Sequence, residues 1–181
     1  MFDIAGWNIR EAGADDAPAL ALVGSATILE TYAGLLEIAD MLDFCATQHS
    51  AQAYRRYIDG GAQAWLAEAQ GTGVPLGYAL LCPPELDDAR EGDIELKRIY
   101  ALTRMQGTGL GRALMDKALA TCSGYDRLLL GVHSRNTRAL AFYERQGFAQ
   151  IGTRGFLVGK VEHHDFVLAR PLKTSVQLDQ A

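Results

Sequence analysis

Three glycines alternate over five residues, Gly107, Gly109 and Gly111, where an apolar strand pattern gives way to a helical one. Few local patterns restrict a chain more. The preceding stretch, Ile94 to Leu102 (IELKRIYAL), alternates in side-chain character and predicts a strand. The following stretch, about Gly109 to Cys122, repeats Leu110, Leu114 and Ala118 at every fourth position, the spacing of a buried helical stripe. Glycine allows positive φ and lets a ligand approach the main chain closely. The first N–H groups of a helix lack intrahelical partners and sit at the positive end of its dipole. A loop of this kind is a nest for an anion such as a pyrophosphate, and Arg104 and Arg112 flank this one. The bare pattern fits a tight turn with close helix–sheet packing equally well. Two other phosphate loops do not fit. The dinucleotide fingerprint needs G-x-G-x-x-G early in a βαβ unit, and a P-loop needs Lys and Ser or Thr where this chain has Arg112 and Ala113.

The rest of the chain predicts a single α/β domain. A length of 181 residues suits one core, and no repeat or Pro/Gly/Ser linker divides it. No apolar run approaches the roughly 20 residues of a membrane span, and Met1 to Arg10 lacks the pattern of a secretory leader. Cys45, Cys82 and Cys122 fit neither a disulfide framework nor a zinc site, so reduced thiols and a cytoplasmic setting are expected. A net charge of −5 argues against nucleic acid as a partner. The charges are segregated. No Lys or Arg occurs between Arg10 and Arg55, while Lys97, Arg98, Arg104, Arg112, Lys117, Arg135, Arg138 and Arg145 make the middle basic.

Strands are expected over Trp7–Glu11, Ala64–Ala69, Gly77–Cys82, Arg127–Val132, Ala149–Leu157 and His163–Leu168, besides the one already named. Helices are expected over Ala17–Leu29, capped by Asp15 and Asp16, then Leu35–Phe44, Ser50–Ile58 and Thr137–Gln146, the last with Asn136 as N-cap and Gly147 beyond its end. The domain is placed at 7–172, with a polar tail at 173–181.

A second motif, Asn136-Thr-Arg-Ala-Leu-Ala-Phe-Tyr-Glu-Arg-Gln-Gly-Phe148, follows the loop after one helix and one strand. Gln106-Gly-Thr-Gly-Leu-Gly111 resembles the Q/R-x-x-G-x-G/A signature of the GNAT superfamily of acyl-CoA-dependent N-acyltransferases, and this second stretch resembles that superfamily's second signature. Glu95-Leu-Lys-Arg-Ile-Tyr100 and Asp165-Phe-Val-Leu look most like bacterial polyamine acetyltransferases of the spermidine/spermine type. The resemblance implies a mixed, mostly antiparallel sheet flanked by helices, with two neighbouring strands splayed at an acetyl-CoA site. It implies that backbone N–H groups of Gln106, Gly107, Thr108, Gly109, Leu110 and Gly111, with Arg112, hold the CoA pyrophosphate. Tyr100, Ala101 and Leu102 would pair with the pantetheine arm, and Asn136 would bond pantetheine or cap its helix. Tyr143 would protonate the departing thiolate. The implied reaction is direct attack of a primary amine, a small molecule such as a polyamine, on the thioester. A protein N-terminus or lysine is the alternative acceptor, and a non-catalytic acetyl-CoA sensor the alternative of another class. Many relatives are homodimers.

Physical chemistry bears on these assignments. A phenol with a pKa near 10 keeps its proton at pH 7 and can donate it to a thiolate. Without the glycine loop Tyr143 would read as a core tyrosine; beside the loop the acid role is the favoured reading, and Phe142 and Phe148 read as core. An alkylammonium, pKa about 10.4, must lose a proton to attack. Alternation places Glu95, Lys97, Ile99 and Ala101 on one strand face, which makes Glu95 a candidate base, or else the partner of Lys97 or Arg98. Glu30 and Glu37, in the acidic first third, suit a cationic acceptor. His133, His163 and His164 match no zinc spacing and read as solvated or hydrogen-bonded, so no metal is expected. Cys122 closes an apolar stripe and reads as packing.

Overall fold

The computed structural model describes residues 6–158 and 161–173. The tail from residue 174 onward lies outside the described residues. Strands β1 (Trp7–Ala12), β2 (Gln63–Ala69), β3 (Pro75–Cys82), β4 (Asp93–Ala101), β5 (Arg127–His133), β6 (Ala149–Val158) and β7 (Val161–Pro171) form one sheet. Helices α1 (Ala17–Tyr32), α2 (Ile38–Gln48) and α3 (Ala51–Asp59) lie between β1 and β2, α4 (Leu110–Ala120) between β4 and β5, and α5 (Thr137–Arg145) between β5 and β6.

The sheet runs β1-β2-β3-β4-β5-β7-β6. Every pairing is antiparallel except β4 with β5. Alternate residues of each strand serve opposite cores, as the pleat requires. Leu66, Tyr78 and Leu80 pack with Leu20 and Val23 of α1 and Tyr54 of α3. Trp65, Ala79, Leu81 and Leu96 pack with Leu110, Leu114 and Met115 of α4. The expected stripe of α4 is therefore the core-facing one, and each leucine so buried contributes about 1.5–3 kcal/mol.

The β4–β5 pairing is short. It joins Asp93, Ile94 and Glu95 to Arg127, Leu128 and Leu129 and then stops, while β5 stays paired to β7 as far as His133. The two strands thus splay over the second half of β4. A bidentate ion pair holds the closed end: Arg127 donates from Nε to Asp93 Oδ1 at 2.9 Å and from Nη2 to Oδ2 at 2.6 Å. On its other side β4 carries a bulge. Leu80 stands opposite Arg98 but Leu81 stands opposite Leu96, so Lys97 is the extra residue. Alternation breaks there, and the expected grouping of Glu95 with Ile99 and Ala101 is corrected. Glu95 stands opposite Cys82 and shares the face of α1 and α3, whereas Ile99 and Ala101 face α4.

Element ends are set by local bonds. Asn136 Oδ1 accepts from Ala139 N–H at 3.1 Å, and Gly147 takes φ of +83° with Phe148 N–H donating back to Tyr143 O, so both expected caps of α5 are present. Asp16 precedes α1 without capping it. Its carboxylate turns back to the Gly13 N–H and to Arg10 instead. α2 starts later than expected, at Ile38, because Leu35 and Leu36 N–H groups both return to Tyr32 O in a turn.

Three buried polar side chains join the helical layer to the sheet. His49 Nδ1 meets Tyr54 Oη at 2.9 Å, and Tyr54 donates to Tyr78 Oη at 2.6 Å. Burial, with the nearby Arg98 charge second, pushes the His49 pKa down from 6.5 to about 3. The folded state cannot take up a proton there that the unfolded chain takes up below 6.5. His49 therefore adds no penalty above that pH and costs stability as pH falls toward 3, by at most about 1.4 kcal/mol per pH unit. Melting temperatures of the wild type and His49→Gln, compared from pH 7 to 4, should diverge in this sense. The wild type should lose more on acidification, and parallel curves would show that His49 does not carry the effect.

Candidate active site

Between β4 and α4 the chain makes a short helical turn, Thr103–Met105, and then the glycine loop. Gly107 and Gly109 take φ of +77° and +85°, a region side-chain-bearing residues avoid. Gly111 lies in the first turn of α4 without such a φ, and a Cβ at any of the three would meet nothing within 4 Å. The space over this backbone is open. Among the described residues, the N–H groups of Gly107, Gly109, Gly111 and Arg112 have no backbone acceptor, while that of Ala113 returns to Gly109 O at 3.0 Å. Donors without partners at a helix N-terminus face an open cleft of about 640 Å³. Arg112, Arg135, Arg138 and Arg145 line that cleft. The nest and four guanidinium groups suit a polyphosphate ligand such as coenzyme A.

The cleft continues to the splayed strands, where Ile99, Tyr100 and Ala101 line it. Beyond Glu95 the β5-facing edge of β4 has no strand partner and is free to pair with an extended ligand. A second cavity, about 390 Å³, adjoins the first through the splay and reaches α1, α2 and the β6–β7 ribbon. Tyr143 and Asn136 line both cavities. Tyr143 packs its ring on Phe142 and Phe148 at centroid distances of 5.4 and 5.6 Å. Its hydroxyl has no hydrogen-bond partner among the described residues, and burial pushes its pKa well up, so the phenol keeps its proton.

The second cavity has charged walls. Arg154 donates to Asp165 Oδ2 from Nη2 at 3.0 Å and from Nε at 3.3 Å. Arg135 N–H meets His133 Nδ1 at 3.2 Å, which leaves the His133 proton on Nε2, 3.2 Å from His163 Nδ1. That tautomer assignment follows from the bonding network. It puts the His163 proton on Nε2, a buried atom without a partner. His133 and His163 are thus hydrogen-bonded, and His164 is exposed. No group of three or more His, Cys, Asp or Glu among the described residues could hold a metal ion.

Several residues singled out in the sequence lie elsewhere. Glu95 lines neither cavity. It is 2% exposed, accepts the Glu85 N–H at 2.6 Å through Oε2 and lies 3.4 Å from Lys97 Nζ through Oε1. It sits where β4 and β5 are still paired. Glu30 lines the first cleft but is engaged by Thr103, accepting from its N–H at 2.8 Å and its hydroxyl at 3.0 Å. Glu37 lines neither cavity, and Leu102, Thr108 and the fully buried Leu110 do not line the first cleft. Asn136 spends its side-chain oxygen on capping α5. Cys122 is buried, and burial raises its thiol pKa to about 11, so it stays protonated and serves as packing. The acidic and basic groups of the second cavity, Arg98, Arg154 and Asp165, come from three strands, and no spacing in the sequence marks them as one site.

A seven-stranded mixed sheet, a parallel pair splayed past its third residue and a glycine nest at the following helix define an acyl-CoA-dependent transferase. A family model described as the acetyltransferase (GNAT) family matches residues 32–148, and the chain belongs to that family. It is 33% identical over 159 residues to an uncharacterized N-acetyltransferase of Mycobacterium tuberculosis, covering 87% of this chain and 98% of the relative. A mycothiol acetyltransferase of Beutenbergia cavernae is 39% identical over 89 residues, 48% of this chain and 28% of that protein. The fold matches a PaiA N-acetyltransferase of Thermoplasma acidophilum solved with coenzyme A, with a TM-score of 0.75 at 20% identity over 92% of this chain and 99% of that one. The Escherichia coli ribosomal-protein-S18-alanine N-acetyltransferase gives 0.70 at 17% identity over 97% of this chain and all of that one. The chain is therefore an acetyl-CoA-dependent N-acetyltransferase, with the mixed α/β fold of its family.

The two kinds of glycine in the loop make separate predictions. Gly111→Val adds a side chain over the nest at a backbone that tolerates one, so acetyl-CoA affinity measured by calorimetry should fall while the melting temperature holds. Gly109→Val meets a positive φ as well and should lower both. Unchanged affinity in a folded Gly111→Val protein would remove the loop from the binding site.

Proposed function

We propose that the chain acetylates the primary amine of a small molecule held in the cavity between α1, α2 and the β6–β7 ribbon. Acetyl-CoA supplies the activated thioester, whose C–S bond breaks as the new C–N bond forms. Backbone N–H groups at Gly107, Gly109 and Gly111 would hold the pyrophosphate, with Arg112, Arg135, Arg138 and Arg145 around it. The free edge of β4 at Tyr100 and Ala101 would align the pantetheine arm. The observation that carries this reading is Tyr143, on the wall shared by both cavities with its hydroxyl unengaged. Its raised pKa guarantees the proton and makes complete transfer to a thiolate, whose conjugate thiol has a pKa of about 8.5, uphill. Tyr143 then acts first as a hydrogen-bond donor to sulfur as charge develops, and as the proton source once the thiolate is desolvated. The catalytic unit spans 7–172, in a reducing, cytoplasmic setting that suits its free thiols.

The amine must also lose a proton. Glu95 remains engaged by Lys97 and the Glu85 N–H, which supports a role in fixing the β3–β4 loop, and we assign proton removal to water in the open cleft. A cavity of about 390 Å³ favours a small molecule over a protein N-terminus. Polyamines remain within the small-amine reading, as the resemblance in the β4 and β7 sequences implies.

Release of free CoA and mass gain of the product, read over a panel of polyamines, amino acids and peptides, test the reading. Tight acetyl-CoA binding with no turnover on any amine would leave a sensor module in its place. Tyr143→Phe should keep acetyl-CoA affinity and lower kcat about 10²- to 10⁴-fold. A rate within about twofold of the parent would return Tyr143 to the core. Glu95→Gln should lower the melting temperature and leave the pH profile of kcat/KM in place, whereas loss of its acidic limb would restore Glu95 as the base.

A further inference from the structure

The second cavity holds a charge that no carboxylate among the described residues neutralises. Arg98 is 7% exposed and lines this cavity. Among the described residues it forms no ion pair with a carboxylate, although Lys97 beside it and Arg154 across the cavity each have one. Its guanidinium lies over the rings of Tyr54 and Tyr57, at 5.0 and 5.3 Å from their centroids, and its Nη1 is buried without a hydrogen-bond partner. Burial raises the pKa of Tyr54, Tyr57, Tyr78 and Tyr100, so these phenols are neutral and offer dipoles rather than counter-charge. A buried cation with an unsatisfied donor is expensive unless something pairs with it. His163, which also lines this cavity and is 7% exposed, has a second such donor, its Nε2, buried without a hydrogen-bond partner. Asp165, the one carboxylate of its wall among the described residues, is engaged by Arg154. The cavity is thus short of acceptors.

We infer that the acetyl acceptor is an amine that also carries a carboxylate, seated in this cavity with its anionic end toward Arg98 and His163. This rests on the reading of the second cavity as the acceptor site and narrows it. A polyamine would bring only positive charge to a wall that already has an excess of it. An amino-acid-like acceptor supplies the missing counter-ion and leaves its amine to reach the thioester at the splay. The remaining wall, Phe44, Phe156, Leu36 and Val132, would take an apolar side chain.

The test is CoA release by the wild type with each of the common L-amino acids, its C-terminal amide, its decarboxylated amine and spermidine. At least one free amino acid should be a substrate, with kcat/KM about 10- to 100-fold above its own amide and amine, the range expected for a charge-assisted hydrogen bond. Arg98→Met should abolish that preference, and Arg98→Lys should retain part of it. A merely structural Arg98 would instead lower the melting temperature of Arg98→Met and leave the preference intact, which would overturn the proposal. Should that variant not fold, His163→Gln and Arg98→Lys carry the same comparison. Equal or better rates with amides, amines or spermidine would also overturn it, as would a panel in which no amino acid reacts. Acetyl-CoA affinity, measured in parallel, separates this failure from a failure of the transferase reading itself.

Discussion

β4 and β5 are held together at one end only. Asp93 and Arg127 are the first pair of the parallel register, and their side chains close on each other in two short hydrogen bonds. Asp93 also accepts the Arg90 N–H, and the Arg127 guanidinium holds the Asp93 carboxyl below the usual range. Past Glu95 the parallel register ends, and the opening that results is the candidate site. The clamp at one end defines a hinge line, and the gap at the other exposes the β4 backbone from both sides of the sheet. The nest, the tyrosine and the cavity proposed for the acceptor have meaning only relative to that gap.

The division of labour across the sheet follows. On the α4–α5 side the ligand surface is mostly main chain: free N–H groups, glycines and a strand edge, with arginines outside. On the α1–α2 side it is side chains from seven elements, many aromatic or charged. Main-chain recognition suits an invariant donor, because it depends on backbone shape. Side-chain recognition suits an acceptor that differs between enzymes of one fold.

The donor side was legible in the sequence because it is encoded locally. Gly107, Gly109, Asn136 and Gly147 each act within a few residues of themselves, and helix stripes and caps follow from spacing. The acceptor side was not. Arg98, His163 and Asp165 meet only after β4 and β7 are brought near α2 and the β6–β7 ribbon folds back, and no spacing encodes that. Arg98 is visible in the sequence as a charge inside an apolar strand, but its burial under Tyr54 and Tyr57 depends on α3, some forty residues away in the chain. The face of Glu95 was misread for a related reason. Strict alternation holds along an unbroken strand, and the extra residue Lys97 is visible only in the pairing of Leu80 and Leu81 with β4.

That extra residue has a bearing on how such a protein can change. Side chains alternate with period two, and Lys97 is one residue outside that alternation. Leu96 and Arg98 on either side of it keep the opposite faces that they would have in a strand without it. Drawing Lys97 into a regular register would instead turn over everything beyond it, and Ile99 and Ala101 would trade sides with Arg98 and Tyr100. The lining of both chambers therefore depends on the bulge being held at this residue, and losing one residue there can be absorbed without inverting the interior.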